Sequence, residues 1–303
     1  MEKIIILSIV VPVARMAGKL QNLHQWLIQA EEHDVEIILV HDKQDSETSS
    51  ELHQMLSALR NPKIRLIEKT VNSPGLARNV GMEEARGRWI QFVDSDDLID
   101  LTSVSGAIVE AERQKLDVIS GRFRRIFQGL EKQKDSPDWS VKNLENLRTI
   151  FTDPGLWRFT FKAERIAGKR FREFLMGEDI LFLYELELES SEIYFSPAFH
   201  YSYFVGDPNQ LSTDPGKSQE AIKTLRYMIL SSCKCDRDIR AIIHMRIFLG
   251  FIKRRRFQAL TETITLCVIA ISKDPKILVS YILSIIHIAK YARNSPRESS
   301  LGA

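Results

Sequence analysis

Cysteine is almost missing from this chain: Cys233, Cys235 and Cys267 are all there is in 303 residues. Three are too few for a disulfide framework, and Cys-x-Cys without a nearby histidine is a poor zinc signature. A reducing, cytoplasmic setting is expected. Long apolar runs are missing too. None reaches the ~20 residues that a membrane-spanning helix needs. Glu2-Lys3 leads into a strand-like run with no small-residue cleavage site, so no signal peptide is expected. A strong net charge is also missing, the formal value being +2. That mean conceals an asymmetry. Residues 216–303 carry 16 Lys and Arg against 6 Asp and Glu, while residues 1–215 carry 26 against 34. An acidic body with a basic tail implies that the two parts meet different partners. The basic residues are not interleaved with aromatics and fit no nucleic-acid-binding motif, so no nucleic-acid partner is expected. Nothing in the pattern specifies an oligomeric state.

What the chain does have is a stretch from Arg88 to Asp97 in which an apolar and aromatic run ends in three carboxylates, Asp94, Asp96 and Asp97. Such a run is short enough for a buried strand. Three like charges this close repel, and burying any one of them unpaired is costly. A divalent cation just past the strand relieves both problems. Oxygen ligands of this kind suit Mg²⁺ or Mn²⁺, which also hold substrate phosphates. The alternative is a solvated acidic turn.

The rest of the chain weighs on that choice. Residues 4–11 and 35–40 are apolar runs rich in β-branched residues, the signature of parallel strands buried on both faces. Pro12 is expected to end the first. Residues 19–31 place Leu20, Leu23, Leu27 and Ala30 at helical spacing. Ser46 or Thr48 is expected to cap a second helix, 64–67 to form a third strand, and Pro74-Gly75 to open a third helix. Strand and helix alternating at this cadence mean right-handed crossovers and a parallel sheet. Ligands of such sheets bind outside the carboxyl ends of the strands. Pro12, Asp42 and the Asp94 to Asp97 cluster all fall at such ends, which favours a site over a solvated turn. Residues 123–155 read as a polar, irregular excursion. Strands are expected at 118–122, 193–195 and 199–205, and helices at 103–114, 219–230, 239–260, 263–271 and 277–291. The last dozen residues read as disordered.

Five motifs now stand in order: Ser8-Ile9-Val10-Val11-Pro12, Glu36 to Asp42, Gly75-Leu76-Ala77-Arg78-Asn79-Val80-Gly81, Asp94-Ser95-Asp96-Asp97, and Gly177-Glu178-Asp179. In this order and spacing the chain resembles the family 2 glycosyltransferases, over roughly residues 4–212. The resemblance implies a GT-A fold, a Rossmann-like, mostly parallel sheet flanked by helices, as a catalytic domain over 1–215. A basic helical region over 216–303 follows it. It also implies a metal-dependent, inverting transfer of a hexose or N-acetylhexosamine from a nucleoside-diphosphate donor, most simply a UDP-sugar, to a glycan or lipid-linked glycan, as in surface polysaccharide synthesis. Carried over by position, Pro12, Val13 and Ser95 line the donor pocket, and Asp42 accepts from the uracil ring. Arg78 and Asn79 lie near the base and diphosphate. Asp96 ligates Mn²⁺ or Mg²⁺, with Asp94 also at the metal and nearer the ribose. Asp179 is the catalytic base, with Glu178 beside it. The chain departs from the pattern where an aromatic and Asn usually follow the proline, having Val13-Ala14-Arg15. It departs again where two acids and Gly-Ser usually follow the second strand, having His41-Asp42-Lys43-Gln44.

The chemistry is consistent with that assignment. A diphosphate leaves well only when its charge is neutralised, and a divalent ion does this as a Lewis acid. A carboxylate that takes the acceptor hydroxyl's proton is worth about 10²–10⁴ in rate. Trp157 is the expected acceptor contact, since aromatics stack on sugar faces. Trp139 is another candidate, and 209–212 a candidate lid. In the tail, Lys253 to Arg256 and the apolar stretch 277–291, ending near Arg293, allow two readings. Residues 253–293 either lie in the interface of an anionic membrane, as a peripheral contact at the inner face of the plasma membrane, or pack as a helical subdomain. Rival functions are a nucleotidyltransferase of similar fold and a non-catalytic nucleotide-sugar or glycan binder.

Overall fold

The computed structural model describes residues 5–127, 132–136, 144–205, 218–231, 235–253 and 257–294. Trp139, residues 209–212, residues 254–256 of the basic run and residues 295–303 lie outside them. The chain forms two compact units. The first takes Met1–Lys142, Leu156–Leu175 and Ser191–Pro208, and the second takes Asn143–Gly155, Met176–Ser190 and Asn209–Ala303. Two short segments that precede residue 215 thus belong with the C-terminal helices.

The first unit opens with β1 (Leu7–Val13), α1 (Gln21–Gln29), β2 (Val35–Asp42), α2 (Ser46–Leu59), β3 (Ile64–Lys69), α3 (Pro74–Glu84) and β4 (Trp89–Phe92), the alternation that the apolar runs predict. These strands stand in the order β3-β2-β1-β4, all parallel. The chain steps outward from β1 to β3, then crosses back through α3 to β4 on the other side of β1. Successive side chains of a strand face opposite ways, and both faces of this sheet are covered. Ile9, Val11, Ile37 and Leu39 pack with Leu23, Trp26 and Leu27 of α1, while Ile38 and Val40 pack with Ala77 of α3.

The chain goes on through β5 (Leu98–Ile99), α4 (Leu101–Arg113), β6 (Val118–Phe127), β7 (Lys132–Asp135), α5 (Leu144–Thr152), β8 (Phe159–Lys162), α6 (Ala163–Ile166), α7 (Glu178–Glu185) and β9 (Ile193–Val205). Of these, α5 and α7 belong to the second unit. The completed sheet has nine strands in the order β3-β2-β1-β4-β8-β6-β9-β5, with β7 paired to β6. It is mixed rather than parallel throughout, because β8 runs antiparallel to both β4 and β6.

Four local expectations up to residue 205 need correction. Pro12 does not end β1: it pairs with Val40 and Val13 pairs with His41. Pairing with β4 stops at Val10, whose C=O accepts from Val93 N–H. Two residues on, Pro12 faces that same, now vacant side, so its missing N–H costs no ladder bond. Helix α2 is capped by Asp45, whose carboxylate accepts from Thr48 N–H, and not by Ser46 or Thr48. The 123–155 stretch is not irregular throughout. It holds the end of β6, strand β7 and helix α5, with Leu147, Ile150 and Phe151 of α5 buried at helical spacing. Finally, 193–205 is one strand. Pro197 lies where the two-residue step from Ser120 to Arg122 in β6 is matched by the four-residue step from Phe195 to Phe199 in β9, so a bulge absorbs the proline.

The second unit adds α8 (Ser218–Leu230), α9 (Arg237–Lys253), α10 (Phe257–Lys273) and α11 (Ile277–Asn294). Ile222, Leu225, Met245, Leu266 and Ala270 are among the side chains of its separate core. The sequence pattern puts a break between helices near 261–262. In fact Ala259, Thr263, Leu266 and Ala270 are buried at helical spacing across that point.

Candidate active site

The order of strands reverses between β1 and β4, and the crevice at such a point is where ligands of open α/β sheets bind. The carboxyl ends of β1, β2 and β4 bring Pro12, Asp42 and the Asp94 to Asp97 loop to this edge. Asp94 and Asp96 are half-buried, while Ser95 and Asp97 are buried.

Asp94 accepts a hydrogen bond from Arg78 at 2.8 Å, and the arginine side chain is only 7% exposed. Arg78 comes from α3, whose start is set by Ser73, a cap that accepts from Leu76 N–H. Its guanidinium also lies 5.5 Å from the centre of the Phe171 ring. Asn79 uses both ends of its amide on the same residue, donating to Phe171 O at 2.9 Å and accepting from Phe171 N–H at 2.8 Å. Asn79 therefore fixes the ring that supports Arg78.

Asp97 is not a solvated member of an acidic turn. It is fully buried, accepting from Tyr201 O–H at 2.8 Å and from Phe204 N–H at 2.8 Å. Burial pushes its carboxyl well above the usual range, and the charges of Asp96 and Asp94 push the same way. Tyr201 O–H also accepts from Asp94 N–H at 3.0 Å, and Asn22 of α1 donates to Asp96 O at 2.6 Å. The backbone of the acidic loop is thus held from β9 and from α1. Sequence reasoning missed Tyr201, Asn22 and Asp97's buried role. Their partners lie 74 to 107 positions away, and no local spacing marks them.

Trp157 is buried, 8% exposed, with its ring stacked on Tyr201 at 4.6 Å and on Tyr203 at 5.4 Å. Tyr203 is half-buried, and burial together with Asp97 and Asp94 pushes its phenol above the usual range. Val13 lies in the core, and its carbonyl is 3.0 Å from His41 Nδ1; the other ring nitrogen is 3.1 Å from Asp45 O. His41 thus ties the end of β1 to the turn that carries Asp42. The Asp42 carboxylate itself accepts from Gln44 N–H at 3.2 Å.

Glu178 and Asp179 open α7 in the second unit. The preceding Gly177 has φ +83°, a left-handed conformation that suits glycine. Both acids thus stand in the first turn, where the helix dipole favours negative charge. Glu178 is buried; Asp179 is half-buried and accepts from Ile180 N–H at 2.7 Å.

Among the described residues no cluster of three or more His, Cys, Asp or Glu forms a ready-made metal cage. That is compatible with Mg²⁺ or Mn²⁺, which commonly take one or two carboxylates and draw their other ligands from water and substrate phosphates. Asp96 and Asp94 fit such a donor set. A cation there would offset the repulsion among neighbouring carboxyls that, after burial, helps to hold the Asp97 pKa up.

The "Uncharacterized glycosyltransferase EpsJ" of Bacillus subtilis is 32% identical over 189 residues, 58% of this chain and 53% of that protein. The chain therefore spans about half the length of that relative. A crystal structure of S. aureus TarS 1-349 in complex with UDP-GlcNAc superimposes with a TM-score of 0.67 at 16% identity, covering 95% of this chain and 92% of the other. Mannosyltransferase PcManGT from Pyrobaculum calidifontis, in complex with GDP-Man and Mn²⁺, gives 0.59 at 14% identity, covering 97% and 83%. The fold is thus of the GT-A type, as the motifs imply. The Glycosyl transferase family 2 model matches residues 8–172, more than half of the chain, including β2, β3, β4, nearly all of β1 and the acidic loop, and the protein belongs to that family.

Proposed function

We propose that the protein transfers a hexosyl or N-acetylhexosaminyl group from a nucleoside-diphosphate sugar, a UDP-sugar in the simplest case, to a glycan or lipid-linked glycan acceptor, as in surface polysaccharide synthesis. The observation that carries this reading is the acidic loop itself. One of its carboxylates is matched to a buried arginine, a second stands beside it, and a third is buried beneath them. TarS, crystallised with UDP-GlcNAc, and PcManGT, with GDP-Man and Mn²⁺, support a nucleotide-sugar donor.

In this proposal Asp96, with Asp94, holds Mn²⁺ or Mg²⁺. When bound, the ion neutralises the diphosphate leaving group. Arg78 orients Asp94 and brings positive charge toward the diphosphate. Asp42 accepts from the base; Pro12, the Val13 backbone and Ser95 form the pocket wall, and Asp94 is nearer the ribose. Asp179 takes the proton of the acceptor hydroxyl as it attacks from the face opposite the leaving group, which inverts the anomeric centre. Glu178, buried beside Asp179, supports it. Trp157 acts on the acceptor side through its stack with the more exposed Tyr203. With a lipid-linked acceptor, the protein works as a peripheral protein at the inner face of the plasma membrane.

Calorimetry and an activity assay test these roles separately. Asp96→Ala should lose Mn²⁺-dependent UDP binding. Asp179→Asn should keep that binding and lose transfer by about 10²–10⁴-fold. UDP binding that needs no divalent cation and survives Asp96→Ala would overturn the metal assignment. Lost UDP binding in Asp179→Asn would move Asp179 into the donor pocket. Thermal shift with UDP-, GDP- and dTDP-sugars in the presence of Mn²⁺ identifies the donor.

A further inference from the structure

Helix α11 buries hydroxyls among its inward-facing residues and turns a row of large aliphatic side chains to water. Helices of soluble proteins bury their apolar stripe and present polar side chains to water. Here Ser280, Tyr281 and Ser284 are buried together with Ile277, at positions 0, 3, 4 and 7 of one helix face. Ser280 donates to Asp238 at 2.6 Å, Ser284 to Ser280 O at 2.6 Å, and the Tyr281 hydroxyl lies 2.9 Å from His244 Nδ1. A polar seam therefore fixes which side of α11 faces the second unit's interior. The large aliphatic residues Leu278, Val279, Ile282, Leu283, Ile285 and Ile286 point outward, each between 42% and 61% exposed. A contiguous apolar face of this kind on a soluble surface marks an interaction site.

Charge identifies the occupant. From Lys276 through Asn294 the chain carries no Asp or Glu, and it carries Lys276 at one end and Lys290 and Arg293 at the other. A second copy of α11 would bring only basic ends to the interface, with no acid to pair them, and a two-fold interface must be complementary to itself. An anionic bilayer matches both features: head groups meet the flanking cations while the aliphatic face enters the acyl boundary. Among the described residues no helix is long and apolar enough to cross a membrane, so the contact is in the plane.

We infer that α11 lies flat on an anionic lipid surface, with Ile282 and Leu283 near the centre of the buried strip. The inference deepens the proposed transfer to a lipid-linked acceptor, and its test does not depend on that transfer. The full chain is sedimented with vesicles of phosphatidylcholine alone and of phosphatidylcholine with about one third phosphatidylglycerol. Binding should be at least tenfold stronger to the anionic vesicles and should weaken as salt rises. Ile282→Glu/Leu283→Glu should lose that binding by more than tenfold, with its circular dichroism and Mn²⁺-dependent UDP affinity unchanged. Lys276→Gln/Lys290→Gln should lose the preference for anionic lipid and keep the fold. Equal vesicle binding by wild type and the double glutamate variant would overturn the inference. So would a wild type that ignores vesicles but forms a dimer, seen by light scattering, that the glutamates dissociate. Vesicle binding without any UDP binding would leave the membrane contact standing and remove the donor reading instead.

Discussion

The Tyr201 hydroxyl does two jobs, accepting from Asp94 N–H and donating to Asp97. Both partners belong to the loop proposed to hold the metal, so one oxygen sets the loop's backbone and satisfies its buried acid. Tyr201→Phe removes that oxygen without changing the ring's stack on Trp157. A buried acceptor left short of a donor costs about 1–3 kcal/mol, which urea unfolding should read as a loss of stability. The loop should also loosen, so calorimetry should give weaker Mn²⁺-dependent UDP binding. An unstable variant with unchanged UDP affinity would make Tyr201 a support for the fold alone. The three acids of this loop were legible from sequence because they fall within four positions and follow an apolar and aromatic strand. Their division of labour was not: Asp97 is told apart from Asp94 and Asp96 only by a tyrosine and a backbone amide more than 100 positions away.

Helix α3 carries Arg78 and Asn79 to the site, and it can lie against β1 only because Gly81 has no side chain. A Cβ at Gly81 would stand 2.2 Å from Val10 Cγ1. Gly81→Ala must therefore push α3 away from β1, at a cost of about 1–3 kcal/mol for overpacking. It should also weaken the Arg78–Asp94 pair and with it donor binding. Gly106 of α4 is the control, with nothing within 4 Å of its Cβ position. Gly106→Ala should gain about 0.5–1 kcal/mol from helix propensity. Thermal melts and UDP titration of the two variants give the comparison, and equal effects at both sites would refute the close-approach argument. At this scale the elements through β4 could be read directly, because short apolar runs alternate with stretches whose apolar residues recur at helical spacing. The end of β6, from Phe123 to Phe127, escaped the reading for a physical reason. The arginines that make β6 look like loop are held by an aromatic residue of another strand, the guanidiniums of Arg122 and Arg124 lying 4.1 and 4.0 Å from the centre of the Phe199 ring. Periodicity within one segment cannot show such a partner.

In the molecule as a whole, each unit encloses a histidine that burial keeps neutral. His200, in the sheet unit, has its pKa lowered to about 4 by burial, against the pull of Asp100. His244, in the helical unit, is lowered to about 3 by burial and by the charge of Arg240. Both titrate near 6.5 when the chain is unfolded. Between that value and the native ones, the unfolded chain binds protons that the folded chain refuses. The stabilisation is complete above pH 6.5 and drains away as pH falls toward 4 and 3. At pH 4.5 each histidine should account for roughly 2–3 kcal/mol of lost stability. Asp97 works in the opposite direction, since its raised pKa lets the folded state take a proton first and gain as pH falls. The measurement is therefore a difference. Urea unfolding at pH 7.5 and 4.5 should show wild type losing more stability on acidification than His200→Gln/His244→Gln, whichever way the net curve slopes. Parallel losses in the two proteins would mean that neither imidazole stays neutral in the folded state.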